Sequence, residues 1–353
     1  MTRMILTGLL AGLLAFGGQA QNVTTPPVSK KASVSEWIGL TEVSIDYHRP
    51  GVKDRPIWGA LVPYDKGVPM PWRAGADENT VISFEHDVTI NGKPLAAGHY
   101  GLHVIPSETE WIFIFSTNYT SWGSFSYNPA EDALRVTAVP TSGDQVEWLR
   151  YQFIDQTDES AKVELAWEKK RASFTVAVDV KAVTLNNIRN ELRNTQGFTW
   201  QGYNSAAQYC LQNDVSLEEG LAWANRSISG GFGAQPTFSN YQTKSAILTK
   251  LGRTAEAEEA MAAALPLATM TELHFYGRSL IQQEKPAEAM KIFEMNRERH
   301  PDDNFTTLVG MARGYMALGK NAEAIKYFRK AAPNAPPGQE QFYLDLAEQL
   351  EKE

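Results

Sequence analysis

The segment between residues 49 and 79 contains most of the side chains suited to chemistry in this chain of 353 residues. It shows no helix or strand period and contains five prolines, and an irregular segment of this length in a compact domain is usually either functional or disordered. Its indole rings, Trp58 and Trp72, argue against disorder. The guanidinium groups of Arg49 and Arg73 suit a carboxylate, phosphate or sulfate, because each can donate two parallel hydrogen bonds to such a group. The segment is therefore the first candidate for a binding site.

Two uses of these arginines remain open. In the first, they line a ligand pocket with other polar and aromatic residues, and the full set of candidates is Arg49, Arg73, Glu78, His103, Trp72 and Trp122. In the second, they pair with the neighbouring carboxylates of Asp46, Asp77 or Glu78 and hold the loop in place. Because Arg73 stands five residues before Glu78, an ion pair between them and a ligand shared by them are both natural expectations.

An enzyme built on these residues would use Arg73 to clamp an anion and His103 to carry a proton. Asp77 or Glu78 would act as the acid or base, a role that requires hydrogen-bonding reach to the substrate. A carbohydrate-binding module would instead present indole rings to sugar faces, and its candidates are Trp58, Trp72 and Trp122. The sequence contains no nucleophile elbow, HExxH motif or glycine-rich phosphate loop.

The six histidines offer no local metal site. His99 and His103 lie four residues apart on a predicted strand, which places their side chains on one face but ~13 Å apart at ~3.3 Å per residue. One zinc ion cannot bridge that distance with bonds of ~2.1 Å. A site assembled by the fold from His48, His86 and His103 stays open as an alternative, but we predict no metal and no cofactor.

The charge distribution excludes nucleic acid as a partner. The formal net charge of the chain is −8. Residues 33–182 carry 13 Lys and Arg against 21 Asp and Glu, and residues 183–353 carry 17 against 20. Neither part has the basic excess that binding to a phosphate backbone requires. The apolar content of 43% is that of a globular protein with a buried core.

The first twenty residues are typical of a cleaved secretory signal. Arg3 supplies the positive start, Met4–Phe16 is apolar and uncharged, and Gly18-Gln19-Ala20 supplies small residues for cleavage. The apolar stretch of 13 residues is too short for a spanning helix, which needs about 20. Cys210 is the only cysteine, so neither a lipid-modified cysteine at the cleavage site nor an internal disulfide can form. We therefore expect a soluble periplasmic or secreted protein without a membrane span.

A linker, residues 21–32, precedes a β domain, residues 33–182, in which apolar and polar residues alternate with the period of strands. Asn91-Gly92 follows one alternating run and predicts a type I′ hairpin turn. Further strands are predicted at Glu42–His48, His99–Ile105, Trp111–Thr117, Leu134–Val139, Val146–Ile154, Ala161–Trp167 and Ala172–Val180. A charged turn at Glu168–Arg171 is predicted to join the last two. This pattern predicts an antiparallel β-sandwich or barrel.

Residues 183–353 change to a helical period and contain a repeat. The tripeptide Ala-Glu-Ala recurs at offsets of 32 and 35 residues, beginning at Ala255, Ala287 and Ala322. The apolar residues four positions after each copy are Met261, Phe293 and Phe328. A period near 34 is the mark of the tetratricopeptide repeat, an all-α solenoid. The copies at 305–338 and 270–303 match best, those at 238–269 and 201–234 are weaker, and residues 338–352 are predicted to form a capping helix.

The repeats support the leading functional hypothesis. Stacked helical hairpins expose an extended surface to peptides and proteins rather than a catalytic pocket. We therefore expect an exported binding or assembly protein, in which the repeats bind a peptide or protein and the β domain offers a polar pocket to a small anionic or sugar ligand. The enzyme and the carbohydrate-binding module remain the alternatives.

Several motifs of the β domain resemble a family of exported proteins, the domain of unknown function 2911. They are Ala32–Ser35, Val43–Lys53, Trp72–Thr80, Leu95–His103, Ser121–Phe125 and Val146–Leu149. They occur in the order and spacing of the family and cover residues 32–181. The resemblance implies an exported protein in which this domain is joined to tetratricopeptide repeats, and it implies no activity that can be transferred residue by residue.

Overall fold

The computed structural model describes residues 25–68 and 70–352. It divides the chain into two compact units, with the division between Val183 and Thr184. The predicted signal segment, residues 1–20, lies outside the described residues. Within the described part, no helix is long and apolar enough to cross a membrane.

The first unit is a sandwich of two antiparallel sheets. Its strands in the described part are β1 (Lys30–Ile38), β2 (Thr41–Arg49), β3 (Thr80–Phe84), β4 (Val88–Ile90), β5 (Lys93–Leu95), β6 (Gly98–Ile105), β7 (Trp111–Ser116), β8 (Asp132–Ala138), β9 (Thr141–Ile154) and β10 (Ser160–Ala177). The larger sheet has the order β1-β2-β3-β6-β7-β8, and the smaller sheet has the order β5-β4-β10-β9.

The apolar faces of the two sheets meet in one core. Along β2 the buried side chains Val43, Ile45 and Tyr47 occupy alternate positions, as one face of a strand requires. Between the sheets, the ring of Phe174 lies 5.0 Å from the ring centre of Phe113 and 5.3 Å from that of Phe115. The predicted antiparallel sandwich is therefore confirmed.

The predicted turn at Asn91-Gly92 is also confirmed. It joins β4 to β5, with Ile90 opposite Lys93. Asn91 and Gly92 have φ values of +48° and +78°. A type I′ turn requires positive φ at both of its central residues, a conformation that asparagine and glycine adopt most easily.

The charged segment Glu168–Arg171 is not a turn, and the prediction of two strands there is wrong. Residues Ser160–Ala177 form the single strand β10, which pairs with β9 on both sides of the segment. The register shifts between Ala166 and Glu168 and again between Glu168 and Lys170, and Glu168 has a φ of +51°. The charges therefore mark a β-bulge, which interrupts the alternation of a long strand without ending it.

The first strand begins at Lys30, inside the segment interpreted as a linker. It lies at the edge of the larger sheet and pairs with β2. Most of its side chains are exposed or half-buried, so its sequence lacks the apolar alternation of a strand with one buried face.

Helices make up the second half of the described structure. They are α1 (Val180–Glu191), α2 (Trp200–Asn213), α3 (Leu217–Ile228), α4 (Phe238–Lys250), α5 (Thr254–Ala264), α6 (Met270–Gln282), α7 (Pro286–Arg299), α8 (Thr306–Ala317), α9 (Asn321–Ala331) and α10 (Glu340–Lys352). The hairpins α2/α3, α4/α5, α6/α7 and α8/α9 coincide with the four predicted repeat copies, and α10 is the predicted capping helix. An all-α repeat solenoid therefore follows the sandwich, as predicted.

The packing of consecutive hairpins differs with the apolar residue that stands four positions after each Ala-Glu-Ala tripeptide. Phe293 is fully buried, and a Cβ placed on Gly277, Gly310 or Gly314 would lie 2.5, 2.7 or 3.0 Å from its ring. Helices α6, α7 and α8 therefore close around that ring. Met261 holds the equivalent position in the preceding repeat, where it is half-buried and lines a cleft of about 730 Å³. A cleft thus separates the second hairpin from the third.

Candidate functional site

A cleft of about 330 Å³ in the β domain is lined mainly by the proline-rich segment. Two backbone hydrogen bonds between Trp72 and Val104, of 2.9 and 2.8 Å, hold one end of this segment against β6. At the other end, the backbone N–H of Val52 donates to the carbonyl oxygen of Glu147 in β9 at 2.8 Å. The irregular segment is thus fixed to a strand at each end. The lining side chains that bear on ligand binding are Lys53, Arg55, Trp72, Arg73, Asp77 and Trp167.

Four tryptophans pack together at this cleft. The ring of Trp58 lies 4.7 Å from Trp111 and 6.0 Å from Trp167, and Trp72 stacks on Trp167 at 5.9 Å. The indole N–H of Trp72 donates to the carbonyl oxygen of Gly75 at 3.1 Å. The other three indole N–H groups are buried and have no acceptor in the described structure.

Three cationic side chains line the cleft, although residues 33–182 carry more acids than bases. Arg55 donates to the carbonyl oxygen of Gly51 at 2.5 Å, and Arg73 donates to that of Asp77 at 2.6 Å. Among the described residues, no carboxylate oxygen lies within 4 Å of either guanidinium group or of Nζ of Lys53, although the Glu147 carboxylate accepts the backbone N–H of Lys53 at 3.0 Å. These cations are not neutralised by ion pairs within the protein, which favours an anionic ligand.

The backbone around the cleft is strained. Lys53, Asp54, Ala74 and Asp77 have φ values of +48°, +55°, +52° and +56°. Residues with a Cβ rarely adopt this left-handed conformation, and such residues concentrate at binding and active sites. The clustering of four of them at one cleft is a second indication of function there.

Arg73 connects the cleft to the loop that follows β7. Its guanidinium carbon lies 5.1 Å from the ring centres of both Trp122 and Phe125. A Cβ on Gly123 would lie 2.6 Å from the guanidinium, so only glycine allows the loop to approach so closely. Burial lowers the pKa of Arg73, and the nearby Asp77 carboxylate opposes this effect. The side chain therefore serves both the cleft and the loop.

Trp122 and Phe125 form an exposed aromatic pair. Their side chains are 58% and 65% exposed, and their ring planes are parallel within 6° at a centroid distance of 5.8 Å. Trp58 and Trp72 instead belong to the tryptophan cluster and are half-buried. The predicted platform of three exposed indoles is therefore not formed, and the ring beside Trp122 is a phenylalanine that sequence analysis did not single out.

His103 lies on β6 beneath the same loop. It is 2% exposed, and its Nδ1 forms a hydrogen bond of 2.9 Å with the hydroxyl group of Ser124. Burial lowers the pKa of His103 to about 4; Asp132 opposes this shift, and Arg73 reinforces it. Arg73 and His103 are therefore close enough to interact, but His103 is neutral at neutral pH and does not line the cleft.

Asp132, at the start of β8, extends this buried polar network. Its Oδ2 accepts hydrogen bonds from the hydroxyl group of Tyr127 at 2.8 Å and from Nε of Arg135 at 2.7 Å. Burial and the Asp132 carboxylate raise the pKa of Tyr127 to about 12. The network ties the loop after β7 to the strand that follows it, which is a positioning role.

The two remaining candidates lie outside this region. Nε of Arg49 donates to the carbonyl oxygen of Leu149 at 2.8 Å, which ties β2 of the larger sheet to β9 of the smaller sheet. Glu78 is exposed, and within the described structure it forms no ion pair with Arg73. The structure thus brings together Arg73, Trp72, Trp122 and His103.

His86 and His99 form hydrogen bonds with separate hydroxyl groups. His86 forms a hydrogen bond of 3.1 Å with Thr41, and His99 forms one of 2.7 Å with Ser83. Among the described residues, no group of three or more His, Cys, Asp or Glu is arranged to hold a metal ion. The alternative of a site assembled from His48, His86 and His103 is therefore not formed.

Lys53 and Trp167 are cleft residues that the sequence analysis did not single out. Lys53 stands in the same proline-rich segment as Arg73, so the composition of that segment was the available signal. Trp167 lies on β10, where its place in the pattern of buried residues is that of an ordinary core residue. Its place at the cleft follows only from the packing of the two sheets.

The family comparison covers this whole site. Residues 29–176 match the model of a protein family of unknown function, DUF2911. The β domain is a DUF2911 domain. Residues 307–332, which span α8 and α9, match a tetratricopeptide-repeat model. No curated protein matches the chain. Apart from Val28, every residue that lines the 330 Å³ cleft lies within the DUF2911 match.

Proposed function

We propose that this protein is an exported binding or assembly protein whose repeats hold a segment of a partner protein. The tetratricopeptide match supports protein–protein interaction. The observation that carries the proposal is the 730 Å³ cleft between the second and third hairpins. It combines apolar side chains such as Met261 and Leu280 with polar ones such as Gln242 and Gln283, the mixture that binds an extended peptide.

Peptide selection on the full chain tests this proposal. A displayed random-peptide library is selected on the wild-type protein, and the selected peptides are then titrated against Met261→Trp, in which an indole projects into the cleft. The control is Lys326→Trp, which places the same ring on the exposed face of α9. We expect peptides that bind the wild type and the control but not Met261→Trp. Recovery of no peptide, or equal binding to all three proteins, would contradict the proposal.

A second function is supported for the DUF2911 domain, the binding of a small anionic ligand. The supporting observation is the cleft in which the side-chain cations of Lys53, Arg55 and Arg73 have no carboxylate within 4 Å among the described residues. Of the predicted acid–base groups only Asp77 lines this cleft, because Glu78 lies outside it and His103 is buried, so the geometry supports binding better than catalysis by the predicted set.

Thermal unfolding with defined probes tests the second function. The probes are D-glucuronate, glucose 6-sulfate and benzoate, with neutral D-glucose as the reference. An anion that binds only the folded state stabilises it by RT ln(1 + [L]/Kd), so Tm rises with the anion concentration. We expect at least one anion to raise Tm of the wild type and not of the Lys53→Gln/Arg55→Gln variant. A Tm that none of the anions changes would count against this function.

Export rests on the first twenty residues alone. The proposal is tested by N-terminal sequencing of the protein purified from cells of its source. We expect the mature chain to begin at Gln21, after the Gly18-Gln19-Ala20 sequence. A chain that begins at Met1 would refute export by this signal.

A further inference from the structure

A second polar surface lies where α6 packs against α8. These are the first helices of consecutive hairpins, so they run parallel. Nδ1 of His274 in α6 is 3.4 Å from the position that a Cβ on Gly310 in α8 would take. Arg278 and Arg313 follow about one turn later on the two helices. They are 35 residues apart, as are the Ala-Glu-Ala tripeptides that begin at Ala287 and Ala322. The two guanidinium groups therefore share one surface, named here the Arg278–Arg313 surface.

In the described structure, the two guanidinium groups of this surface lack carboxylate partners, and the His274 imidazole has a hydrogen bond only to the backbone of Thr306. Among the described residues, no carboxylate oxygen lies within 4 Å of either guanidinium. Arg313 forms a hydrogen bond with Tyr343, but its Nε is buried without an acceptor, and Nδ1 of His274 is likewise buried and unpaired. Asp303, which acts on His274 electrostatically, already accepts the backbone N–H of Thr307 at 2.6 Å.

Two like charges side by side oppose each other in the free protein. Burial lowers the pKa of Arg313, and the neighbouring Arg278 lowers it further. Burial and then these two guanidiniums lower the pKa of His274 to about 4, so this imidazole is neutral at neutral pH. A carboxylate placed between the arginines would relieve their repulsion and accept charge-assisted hydrogen bonds from both.

Exposed aromatic rings flank the two arginines. The guanidinium carbon of Arg278 lies 5.8 Å from the ring centre of Phe275, whose side chain is exposed. The exposed ring of Phe342 has its centre 5.1 Å from the ring centre of Tyr343. Tyr343 forms a hydrogen bond with Arg313. The surface therefore presents cations at its centre and apolar area beside them.

We propose that the Arg278–Arg313 surface binds an acidic segment of the partner protein, with one Asp or Glu carboxylate held by both guanidiniums and an adjoining apolar side chain on Phe275. This inference rests on the proposed function, because it states the chemistry of the segment that the repeats hold. A nucleic acid or an anionic membrane fits less well, since residues 183–353 carry 17 basic against 20 acidic side chains and polyanions need a broad basic excess. One carboxylate needs only the two arginines.

Fluorescence anisotropy with two matched peptides tests the inference on the full chain. One labelled peptide intersperses Glu with Leu and Ser, and the other has Gln in place of every Glu. We expect the Glu peptide to bind about tenfold or more tightly than the Gln peptide, as charge-assisted hydrogen bonds imply. The preference should shrink at high salt. In Arg278→Gln/Arg313→Gln the two peptides should bind equally.

The control variant is Arg329→Gln, which removes a cation of α9 that pairs with Glu351 at 2.7 Å. It should keep the full preference for Glu, and Arg278→Lys/Arg313→Lys should keep part of it.

A thermal melt checks folding of the double Gln variant, whose Tm should stay the same or rise because two like charges are removed. If the wild type binds both peptides equally or neither, or if the double Gln variant keeps the preference, the inference is wrong. In each case the peptide selection against Met261→Trp still decides the proposed function separately.

Discussion

At the residue scale, Arg73 has two roles in the DUF2911 domain. It lines the cleft and donates to the carbonyl oxygen of Asp77 in its own segment, and it holds the loop after β7 through Gly123 and the rings of Trp122 and Phe125. Sequence reasoning treated structural pairing and ligand binding as alternatives for this residue. The structure shows structural contacts that involve a backbone carbonyl and aromatic rings, and these leave the positive charge without a carboxylate.

Arg73→Gln should therefore lower the free energy of unfolding by about 1–3 kcal/mol, because a hydrogen bond from a charged group and two cation–π contacts are lost. Arg73→Lys keeps the charge but not the planar fork, so it should lose stability while retaining more of the anion binding. Urea unfolding of the full chain measures the first effect, and the anion-induced change in Tm measures the second.

The control for this series is Lys162→Gln, which removes an exposed ion pair with Asp155 and should change stability by less than about 0.5 kcal/mol. Unchanged stability in Arg73→Gln would show that the contacts with the loop do not hold it. Equal anion binding by Arg73→Gln and the wild type would remove Arg73 from the ligand site.

The buried His103 predicts a pH dependence. Its pKa of about 4 in the folded protein lies below the ordinary value of 6.5, so the unfolded chain takes up a proton at a higher pH than the folded protein does. Its contribution to stability is therefore complete above pH 6.5 and is lost as the pH falls towards 4, by up to about 3 kcal/mol. His103→Gln should remove this part of the pH dependence.

Urea unfolding of the full chain at a series of pH values measures the difference between the wild type and His103→Gln. The comparison between the two is essential because His274 in the repeats shifts in the same direction. His99→Gln, at an exposed position of the same strand, is the control and should follow the wild type. A wild type and a His103→Gln variant with parallel pH profiles would show that His103 does not titrate as its burial requires.

At the scale of elements, one side chain per repeat sets the spacing of the hairpins. Phe293 fills the space among α6, α7 and α8, whereas Met261 leaves the cleft open. Met261→Phe should raise the stability of the repeats by about 1 kcal/mol through added apolar burial, and it should weaken peptide binding. Thermal unfolding and the titration of selected peptides measure the two effects.

The reciprocal change, Phe293→Met, removes ring volume from a fully buried position and should lower stability by about 1–3 kcal/mol. It leaves the cleft residues in place, so it is the matched control for binding. If Met261→Phe destabilises the protein or leaves peptide binding intact, the cleft is not the binding surface that the repeat pattern suggests.

The elements that sequence reasoning predicted correctly are those with local determinants. The Asn91-Gly92 turn follows from the φ values that its two residues tolerate, and the hairpins follow from a repeat near 34 residues. The bulge in β10 was predicted to be a turn, because a short run of charged residues occurs in the sequences of bulges and of turns alike. The edge strand β1 was absent from the prediction because it has little apolar alternation.

The candidate site was predictable only in part, for the same physical reason. Arg73, Trp72 and the proline-rich segment are close in sequence, so their shared cleft could be anticipated. Trp167 and the contact of Gly123 with Arg73 depend on residues distant in the chain. The contact of Arg49 could not be predicted, because its partner, the carbonyl oxygen of Leu149, is a backbone group that no side-chain pattern reveals.

At the scale of the whole molecule, each unit has its own hydrophobic core. The sandwich core and the cores of the repeats share no residue in the described structure. Limited proteolysis in the segment between α1 and α2, residues 192–199, should therefore yield two fragments that each unfold cooperatively. Calorimetry of the separated fragments measures this. A fragment of residues 25–191 without a cooperative transition would show that the β domain depends on the repeats.

The central claim is that the cleft between the second and third hairpins holds a segment of a partner protein. Site-specific photocross-linking in cells of the source tests it most directly, with benzoylphenylalanine in place of Gln283 in the cleft and, as control, in place of Lys326 on α9. Mass spectrometry of the adducts should identify one segment of one partner joined to position 283, absent from position 326 and absent when the indole of Met261→Trp projects into the cleft. Adducts that are the same at both positions, or none at position 283, would contradict the claim.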